Sequence, residues 1–389
     1  MDNQRVQQVC AGFAARFGQA AECVSRSPGR IEILGNHTDY NAGTVLSVAV
    51  DRAMFIAAAR IPGDECQLFD LKSKSARSFS LRGLWPPAER DWSNYIKGLV
   101  YEMQQMGIEV PAFQAVLHGE VPLSAGMSSS AALEMAMMAV LRQLSGRQER
   151  LDWLTCARLG QACENKYVGA NTGLLDQFSS LRGRAGQLVY SDFRDFSVKN
   201  IPMPVGTAFV VANSLVKHNL TNEYNERRQD CEAAVAALSQ ALPGVKALRD
   251  VTPAMLEEHK SLLDERVYRR ALHVVGEIDR VERGVAALEQ GDLRGFGALL
   301  TESHYSSRDN FENSCPELDA LVECGSSLPG FLGARLSGGG FGGITVHLVE
   351  EVLAAAYQEK FQAAYAEKTG RRTETMICHA DNGTELRVL

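Results

Sequence analysis

Helical and strand-like patterns follow one another irregularly in the first half of the chain. Apolar residues recur at helical spacing up to about residue 20 and again over residues 92–105. Short apolar runs predict strands at residues 31–34, 44–50, 53–59 and 112–117. The polar, turn-forming residues 60–90 predict loops. Because strands and helices mix without a regular βαβ alternation, we predict the α+β class.

Helical spacing dominates the second half of the chain. Two strands are predicted within residues 186–198 and one at 207–212, and helical spacing then covers residues 222–290. Pro243 and Pro253 interrupt this spacing, since proline breaks a helix interior.

A proline-rich segment marks the predicted division of the chain. Residues 201–204, Ile-Pro-Met-Pro, have the composition of a linker, and 389 residues suffice for two domains with separate cores. We therefore predict an N-terminal domain of residues 1–200 and a C-terminal domain of residues 201–389.

Composition and charge narrow the class of protein. With 45% hydrophobic and 22% charged residues, the chain has the composition of an ordinary globular protein. Its net charge of −7 argues against nucleic acid as a partner, because phosphate backbones favour basic surfaces. The start of the sequence lacks the apolar stretch of a secretory signal, and no apolar run is long enough for a membrane span. Nine scattered cysteines without a C-x-x-C pair predict reduced thiols, so we expect a cytoplasmic protein without a membrane partner.

One segment combines charged, amide and hydroxyl side chains at high density. In residues 29–41, GRIEILGNHTDYN, Arg30 lies in a strand-like run, and Asn36, His37 and Asp39 follow a glycine. A strand that ends in such a cluster brings many hydrogen-bonding groups to one place, so we predict a site for a polyhydroxylated ligand. A polar surface turn is the alternative that this segment alone leaves open.

Three serines at the start of a predicted helix form a candidate anion site. In residues 122–131, PLSAGMSSSA, Gly126 precedes Ser128, Ser129 and Ser130, and good helix formers follow. The start of a helix presents free backbone N–H groups and the positive end of its dipole, which suits nucleotide phosphates. A serine-rich N-cap is the structural alternative. The segment lacks the lysine of a Walker-type loop.

A second glycine-rich segment precedes a strand rather than a helix. Residues 336–343, LSGGGFGG, formally match G-x-G-x-x-G, but the apolar residues 344–349 that follow predict a strand. A dinucleotide-binding turn requires a helix there, so we exclude that interpretation. Such dense glycine predicts a tight loop that a ligand or the serine-rich residues 122–131, called the phosphate segment below, approach closely.

Asp176 is a carboxylate among apolar neighbours, in the sequence G-L-L-D-Q-F. A carboxylate in that context needs a cation to remain ionised, and we predict that Arg30 is this partner. Paired in this way, Asp176 can accept a proton from a substrate hydroxyl; a helix-start aspartate or a structural ion pair is the alternative. Glu164 and Ser130 are candidate ligands for Mg²⁺, which usually takes one or two protein oxygens and retains waters.

Together these motifs resemble those of the galactokinase branch of the GHMP small-molecule kinases. The sugar motif, the phosphate motif and the late G-G-G-F-G-G occur in the family's order, the first with substitutions, and the resemblance covers nearly the whole chain. It implies a transferase that uses ATP and Mg²⁺ to phosphorylate the anomeric C1 hydroxyl of galactose or a closely related hexose. The expected partners are a small-molecule sugar and ATP, and we expect a monomer or a weak homodimer.

The resemblance also implies roles for individual residues. Asp176 would accept or orient the C1 proton, and Arg30 would compensate its charge and stabilise the transferring phosphoryl group. The residues implied to contact the sugar are Asn36, His37, Asp39, Gly173 and Tyr224. The residues implied to bind ATP or its phosphates are Trp92, Tyr95, Gly126, Ser128, Ser129, Ser130, Gly339 and Gly340. Trp92 and Tyr95 are equally well explained as core residues.

The fold implied by the resemblance is the two-domain GHMP kinase fold. Its N-terminal domain resembles ribosomal protein S5, and its C-terminal domain is ferredoxin-like. The active site is implied to lie in the cleft between the two halves.

Two departures from the family pattern bear on the choice of sugar; a third, Ser47 in place of the usual proline, is interpreted as a detail of the backbone. Galactokinases carry Asn where this chain has Glu32, and where this chain has Asn36 they carry a Glu that reaches the C6 hydroxyl of the sugar. A carboxylate at position 36 repels a C6 carboxylate, whereas the neutral amide of Asn36 does not. A kinase for a C6-modified sugar such as galacturonate is therefore the alternative to a kinase for plain galactose. Compensation by Glu32, whose direction the sequence does not define, is a further alternative.

Two other functions fit the motifs less well. A mevalonate or homoserine kinase shares the serine and glycine loops but does not need residues 37–41, which suit a sugar. A non-catalytic galactose sensor is expected to lose residues of the phosphate loop, whereas residues 128–131, Arg30 and Asp176 are all present here.

Overall fold

The computed structural model describes residues 1–85, 87, 91–122, 126–170, 172–216 and 221–389, with the backbone alone at 221 and 222; residues 123–125 of the phosphate motif therefore lie outside the described residues. The strands are β1 (Cys23–Leu34), β2 (Thr44–Arg60), β3 (Glu65–Asp70), β4 (Ala76–Ser80), β5 (Phe113–Gly119), β6 (Gln187–Asp192), β7 (Ser197–Pro202), β8 (Thr207–Asn213), β9 (Phe331–Ser337), β10 (Ile344–Glu350), β11 (Glu374–Cys378) and β12 (Glu385–Val388). The α-helices are α1 (Asn3–Phe17), α2 (Asn94–Gln105), α3 (Ser129–Ser145), α4 (Trp153–Ala162), α5 (Leu175–Arg182), α6 (Thr221–Ala241), α7 (Pro253–Glu258), α8 (Glu265–Glu289), α9 (Leu293–Ser306), α10 (Pro316–Ser326) and α11 (Ala354–Thr369).

The strands form two sheets. The larger has the order β12-β1-β2-β5-β3-β4, with β6 beside β2 and β7 beside β6, and its pairs are antiparallel except for β3 with β5. The smaller has the order β11-β8-β10-β9. Helices combined with largely antiparallel sheets confirm the α+β class. The domain boundary at residue 200 stays a proposal; β1 to β7 lie in one sheet and β8 to β11 in the other, but β12 returns to the first sheet.

The predicted linker is wrong in its first half. Residues 201 and 202 belong to β7, where Pro202 pairs with Gln187 at the end of the strand. β7 pairs only with β6 in the described sheet, and an edge strand tolerates a proline, which has no N–H to donate. The connection between the sheets is therefore residues 203–206.

Other differences concern strand lengths. The apolar runs 44–50 and 53–59 form the single strand β2, because Asp51 and Arg52 between them stay within the strand as half-buried residues. Residues 60–90, predicted as loops, contain β3 and β4, which are short and carry a weak apolar alternation; β4 is mostly exposed, and only two residues of β3 are buried.

The helical predictions are largely confirmed. Both prolines interrupt the helical region between α6 and α7: Pro243 follows the end of α6, and Pro253 begins α7 at the first helical position, which proline favours. A further break at residues 259–264 separates α7 from α8. Thr252 caps α7, since its Oγ1 accepts a hydrogen bond from the backbone N–H of Met255 at 3.2 Å. Among the described helices, none is both long and apolar enough for a membrane span.

β1 is buried along its whole length and positions the polar residues 29–41, called the sugar segment below. Helix α3 packs onto β1, where the Ser25 hydroxyl donates to the carbonyl of Ala136 at 2.8 Å. The pairing of β1 with β2 shifts register between Pro28 and Arg30 and again between Glu32 and Leu34. Between these irregularities the pairing is regular, so the side chains of Arg30 and Glu32 lie on the same face of the strand.

Candidate active site

A cavity of about 500 Å³ brings together most of the predicted site residues. Its walls come from β1 and the turn after it, the first turns of α3 and α5, the start of α6 and the glycine-rich loop after β9. The predicted residues that line it are Arg30, Asn36, His37, Asp39, Gly126, Ser128, Ser129, Ser130, Glu164, Gly173, Asp176, Tyr224, Gly339 and Gly340. Both halves of the chain therefore contribute to one site.

Trp92 and Tyr95 do not line this cavity. Both pack against the apolar core between α2 and the larger sheet, and the carbonyl of Tyr95 accepts a hydrogen bond from Cys163 Sγ at 3.2 Å. The structure thus places them as the core alternative predicts, and their contact with adenine stays a prediction.

Asp176 and Arg30 form an ion pair at the edge of the cavity. Arg30 Nε donates to Asp176 Oδ1 at 2.7 Å, and Arg30 Nη1 donates to the carbonyl of Gly126 at 2.5 Å. The hydroxyl of Ser128 donates to the other oxygen, Asp176 Oδ2, at 2.5 Å. One guanidinium therefore joins the candidate base to the phosphate segment, and the predicted contact between Arg30 and Asp176 is present.

The phosphate segment packs directly on β1. The backbone N–H of Arg30 donates to the carbonyl of Met127 at 3.1 Å, at the register shift of the strand. Gly29 permits this approach, because a Cβ there would lie 2.8 Å from the same carbonyl oxygen. Ser128 has a positive φ of 53° and turns the chain into α3, whose N-terminus faces the cavity. That helix end supplies backbone N–H groups suited to an anion.

Asp39 lies against Gly173 in the cavity wall. A Cβ at position 173 would lie 1.7 Å from Asp39 Oδ2, so only glycine fits there. Burial raises the pKa of Asp39 to about 7, and the carboxylates of Glu32 and Asp176 add to this rise. Asp39 is therefore a group whose charge changes near neutral pH.

His37 is a neutral, doubly hydrogen-bonded side chain. Its Nε2 donates to the carbonyl of Gly339 at 3.2 Å, and from this we assign Nδ1 as the acceptor of the Tyr40 hydroxyl at 2.9 Å. Burial lowers the pKa of His37 to about 4, so the ring carries no charge at neutral pH. The Tyr224 ring lies 5.1 Å away between centroids and completes an aromatic wall.

Glu164 lies in a π-helical turn, Cys163–Val168, that continues α4. Such turns occur frequently at functional sites. Its carboxylate accepts hydrogen bonds from Thr172 and from Gln177 Nε2, the latter at 3.2 Å, and contacts the Ser130 hydroxyl. Burial raises the pKa of Glu164, and the charge of Asp176 adds to the rise.

The oxygens of Ser130 and Glu164 suit a hard cation that keeps part of its water shell. Within the described ranges, no group of three or more histidine, cysteine or acidic side chains is arranged for a metal. Beside the pair, Glu134 Oε1 and Gln177 Oε1 are buried without a hydrogen-bond partner among the described residues. The site is therefore rich in oxygen acceptors.

Sequence reasoning missed a buried carboxylate behind the sugar segment. Glu277, fully buried on α8, accepts the backbone N–H groups of Gly35 and Asn36 at 3.0 Å each. Burial alone would raise the pKa of Glu277, but the guanidiniums of Arg280 and Arg335 outweigh it and hold that pKa well below its usual range. Nothing in the sequence distinguishes Glu277 from the other acids of an amphipathic helix.

Arg335 is the second residue that was missed. It is fully buried on β9, with Nη2 at 3.1 Å from Glu32 Oε1 and Nη1 at 3.9 Å from Glu277 Oε2, and Nη1 donates to the carbonyl of Ile33 at 3.2 Å. One arginine of the smaller sheet therefore compensates two carboxylates around the sugar segment. Its position within the apolar run FLGARLS was the available signal.

Asn36 joins the sugar segment to the glycine-rich loop. Its Nδ2 donates to Glu32 Oε1 at 2.9 Å and to the carbonyl of Gly338 at 2.8 Å, while its Oδ1 accepts from Asn313 Nδ2 at 2.9 Å. The side chain is 1% exposed. Gly340 allows the loop to approach Asn313, since a Cβ there would lie 2.1 Å from the carbonyl oxygen of Asn313.

Comparison with known proteins identifies similar chains along nearly the full length. The galactokinase galactose-binding signature matches residues 11–60, the GHMP kinases N terminal domain matches residues 94–184, and the GHMP kinases C terminal domain matches residues 285–367. Galactokinase from Roseiflexus sp. (strain RS-1) is 39% identical over 375 residues, which cover 95% of this chain and 94% of that protein. Galactokinase from Bos taurus is 38% identical over 369 residues, which cover 91% and 90%.

Solved structures show the same similarity. The crystal structure of Lactococcus lactis galactokinase complexed with galactose matches with a TM-score of 0.92 and 30% identity, covering 98% of this chain and 99% of that one. A mevalonate kinase matches with a TM-score of 0.64 and 17% identity, over 92% of this chain and 99% of that one, which shows a shared fold.

Proposed function

Because the chain belongs to the galactokinase family, we propose that Asp176 and Arg30 carry out its activity, the ATP-dependent phosphorylation of galactose at the anomeric C1 hydroxyl. The N- and C-terminal GHMP domains give the chain the α+β fold of that superfamily. The observation that carries the assignment is the ion pair of Arg30 with Asp176, joined to the phosphate segment through Gly126. A base and a phosphate site must adjoin for a hydroxyl to attack a phosphoryl group.

Asp176 orients the C1 hydroxyl and accepts its proton as the new oxygen–phosphorus bond forms. Arg30 fixes this carboxylate through Nε and places positive charge at the edge of the phosphate site. Phosphoryl transfer depends chiefly on positioning and charge stabilisation, because little covalent chemistry falls to the protein. The serine-rich start of α3 holds the phosphates of ATP with backbone N–H groups and hydroxyls.

Ser130 and Glu164 are the residues that would hold Mg²⁺. Their two oxygens fit an ion that usually takes one or two protein ligands and fills its remaining positions with water and phosphate oxygens. When bound, the ion neutralises the negative charge of the ATP phosphates.

The remaining cavity residues bind the sugar. The Asp39 carboxylate accepts sugar hydroxyls, Gly173 leaves room for it, and the neutral His37 with Tyr224 forms an adjoining wall. These groups can form many directed hydrogen bonds, as a polyhydroxylated substrate requires.

We expect the catalytic efficiency for galactose to rise with pH and to level off above about 7, the pKa of Asp39. Only the ionised carboxylate accepts strong, charge-assisted hydrogen bonds from the sugar. The pH profile of kcat/KM reports groups of the free enzyme, so it is the measurement to make. Asp39→Asn should lower kcat/KM and flatten this rise, whereas a variant with an unchanged midpoint would assign the ionisation to another group.

An ADP-release assay with ATP and Mg²⁺ tests the function against galactose, 2-deoxygalactose, fucose, galacturonate, glucose and mannose. We expect galactose to be preferred, with the product phosphate on C1 by ³¹P and ¹³C NMR. Turnover of galacturonate with galactose inactive would contradict the proposed substrate. The galactokinase relatives give no support to that alternative or to a non-catalytic sensor.

Location and assembly are further parts of the proposal. All nine cysteines are free thiols, as expected in a reducing compartment, and we propose a cytoplasmic enzyme. A monomer or weak homodimer is proposed for its assembly, and sedimentation velocity over a range of concentrations distinguishes the two.

A further inference from the structure

We propose that Glu32, rather than residue 36, supplies the carboxylate that recognises a galactose hydroxyl remote from C1. The inference rests on the proposed function, because it takes C1 to lie at Asp176. It concerns a residue outside the set predicted to contact the sugar.

The first argument is the position of Glu32 on β1. Arg30 and Glu32 lie on the same face of the strand with regular pairing between them, to Ala49 and Ser47 of β2. Two residues along a strand correspond to about 6.6 Å, which is comparable to the breadth of a hexopyranose with its substituents. Both side chains line the same cavity, so a sugar with C1 at the Arg30 end places its far side near Glu32.

The second argument is the direction of the contacts that hold the Glu32 carboxylate. Asn36 Nδ2 donates to Oε1 at 2.9 Å, and Arg335 Nη2 lies 3.1 Å from the same oxygen. Within the described part of the chain, no hydrogen bond or ion pair involves Oε2. A carboxylate oxygen that protein groups leave open, on a side chain in the cavity wall, is suited to accept a hydroxyl.

The third argument is that Asn36 is already committed to the protein. Both hydrogens of its Nδ2 are donated, to Glu32 and to the carbonyl of Gly338, and its Oδ1 accepts from Asn313. The pair Glu32–Asn36 thus keeps one carboxyl group and one amide in contact, with the carboxyl group on the strand instead of the turn. Burial raises the pKa of Glu32, and the Arg335 guanidinium and Asn36 oppose this rise. The geometry favours the alternative in which Glu32 compensates for the neutral residue 36, because its carboxyl group remains in the cavity wall.

The decisive experiment combines Glu32→Gln with deoxygenated sugars. For galactose we expect kcat/KM to fall roughly ten- to hundredfold, mainly through KM, since hydrogen bonds to charged groups are the stronger ones. For either 4-deoxygalactose or 6-deoxygalactose, which lacks the hydroxyl concerned, the same substitution should cost less than about threefold. With 2-deoxygalactose, whose missing hydroxyl adjoins C1, the full loss should persist.

Controls separate recognition from a structural role. An equal loss with galactose and all three deoxy sugars would overturn the proposal, as would a rise in the KM of ATP as large as that of galactose. The transposed variant, Glu32→Asn together with Asn36→Glu, should recover much of the activity that Glu32→Asn alone loses; no recovery counts against the proposal. Glu282→Gln changes a carboxylate that binds Thr44 and Tyr190 outside the cavity and should leave all the sugars unaffected.

The outcomes also distinguish this inference from the proposed function. A wild-type protein that leaves galactose unphosphorylated would refute the function itself. A wild-type protein that phosphorylates galactose, but whose Glu32→Gln loss is independent of the sugar hydroxyls, would refute only the role of Glu32.

Discussion

Replacing Asp176 by asparagine is expected to lower kcat for galactose by about 10²–10⁴-fold, the usual contribution of a positioned acid or base. The amide keeps the shape of the side chain but cannot take the C1 proton, and it leaves the charge of Arg30 without its partner. ATP binding should change little, because the serine-rich start of α3 remains in place. Turnover is measured by ADP release, and ATP binding by calorimetry.

A second Arg–Asp pair on the same strand provides the matched control. Arg26 of β1 pairs with Asp381 outside the cavity, so Asp381→Asn removes a similar charge without touching the site. Its turnover should stay within about twofold of the wild type, as for a change away from the site. If Asp176→Asn retains as much turnover as the Asp381→Asn control, Asp176 has no part in proton transfer. Catalysis would then depend only on the groups that position the substrates.

Replacing Arg335 by methionine is expected to destabilise the protein by about 3–5 kcal/mol, the range for breaking a buried ion pair. The guanidinium is fully buried and compensates the carboxylates of Glu32 and Glu277 together. Methionine replaces only the aliphatic part of the arginine side chain and leaves both carboxyl groups without that partner. Urea unfolding followed by circular dichroism measures the loss.

Salt bridges at the surface give the comparison for this variant. Arg283 pairs with Asp279 and Glu302 on the surface, where it is half exposed, and Arg283→Met should cost less than about 1 kcal/mol.

The stability that Arg335 provides should also depend on pH. The pKa of Glu277 is depressed in the folded protein, so the contribution of Glu277 to the free energy of unfolding is full at pH values above the usual glutamate range and is lost on acidification. The gap between wild type and Arg335→Met should therefore narrow below about pH 4.5, near the usual pKa of glutamate. A gap of the same size at pH 7 and pH 3 would contradict this account.

Part of the site was predictable from the sequence because some side chains require a particular kind of partner. A carboxylate among apolar residues needs a cation, and this reasoning paired Asp176 with Arg30 although 146 positions separate them. A serine run before helix formers predicted the start of α3. Dense glycine predicted a tight loop close to a ligand or to the phosphate segment; the loop lines the cavity, but its contacts with Asn36 and His37 were not predicted. Each of these predictions follows from local sequence.

The remainder depends on contacts that local sequence does not encode. Glu277 reaches the backbone of Asn36 across 241 positions, and only the packing of α8 against β1 brings the two together. The effect of Asn36 on the choice of sugar depends on the face of β1 from which the Glu32 side chain projects. The register of β1 with β2 determines that face. The prolines of 201–204 predicted a linker, but an edge strand accommodates Pro202 equally well.

The pairing of β12 with β1 has a consequence for the order of events during synthesis. Arg26 of β1 meets Asp381 across 355 positions, and residues 23–26 pair with residues 385–388. The outer edge of β1 therefore stays uncovered on the ribosome until nearly all of this sequence has emerged. An uncovered edge can pair with another nascent chain, and such distant contacts form slowly. Chaperones that shield nascent chains should accordingly raise the yield of folded enzyme more than its thermodynamic stability would suggest.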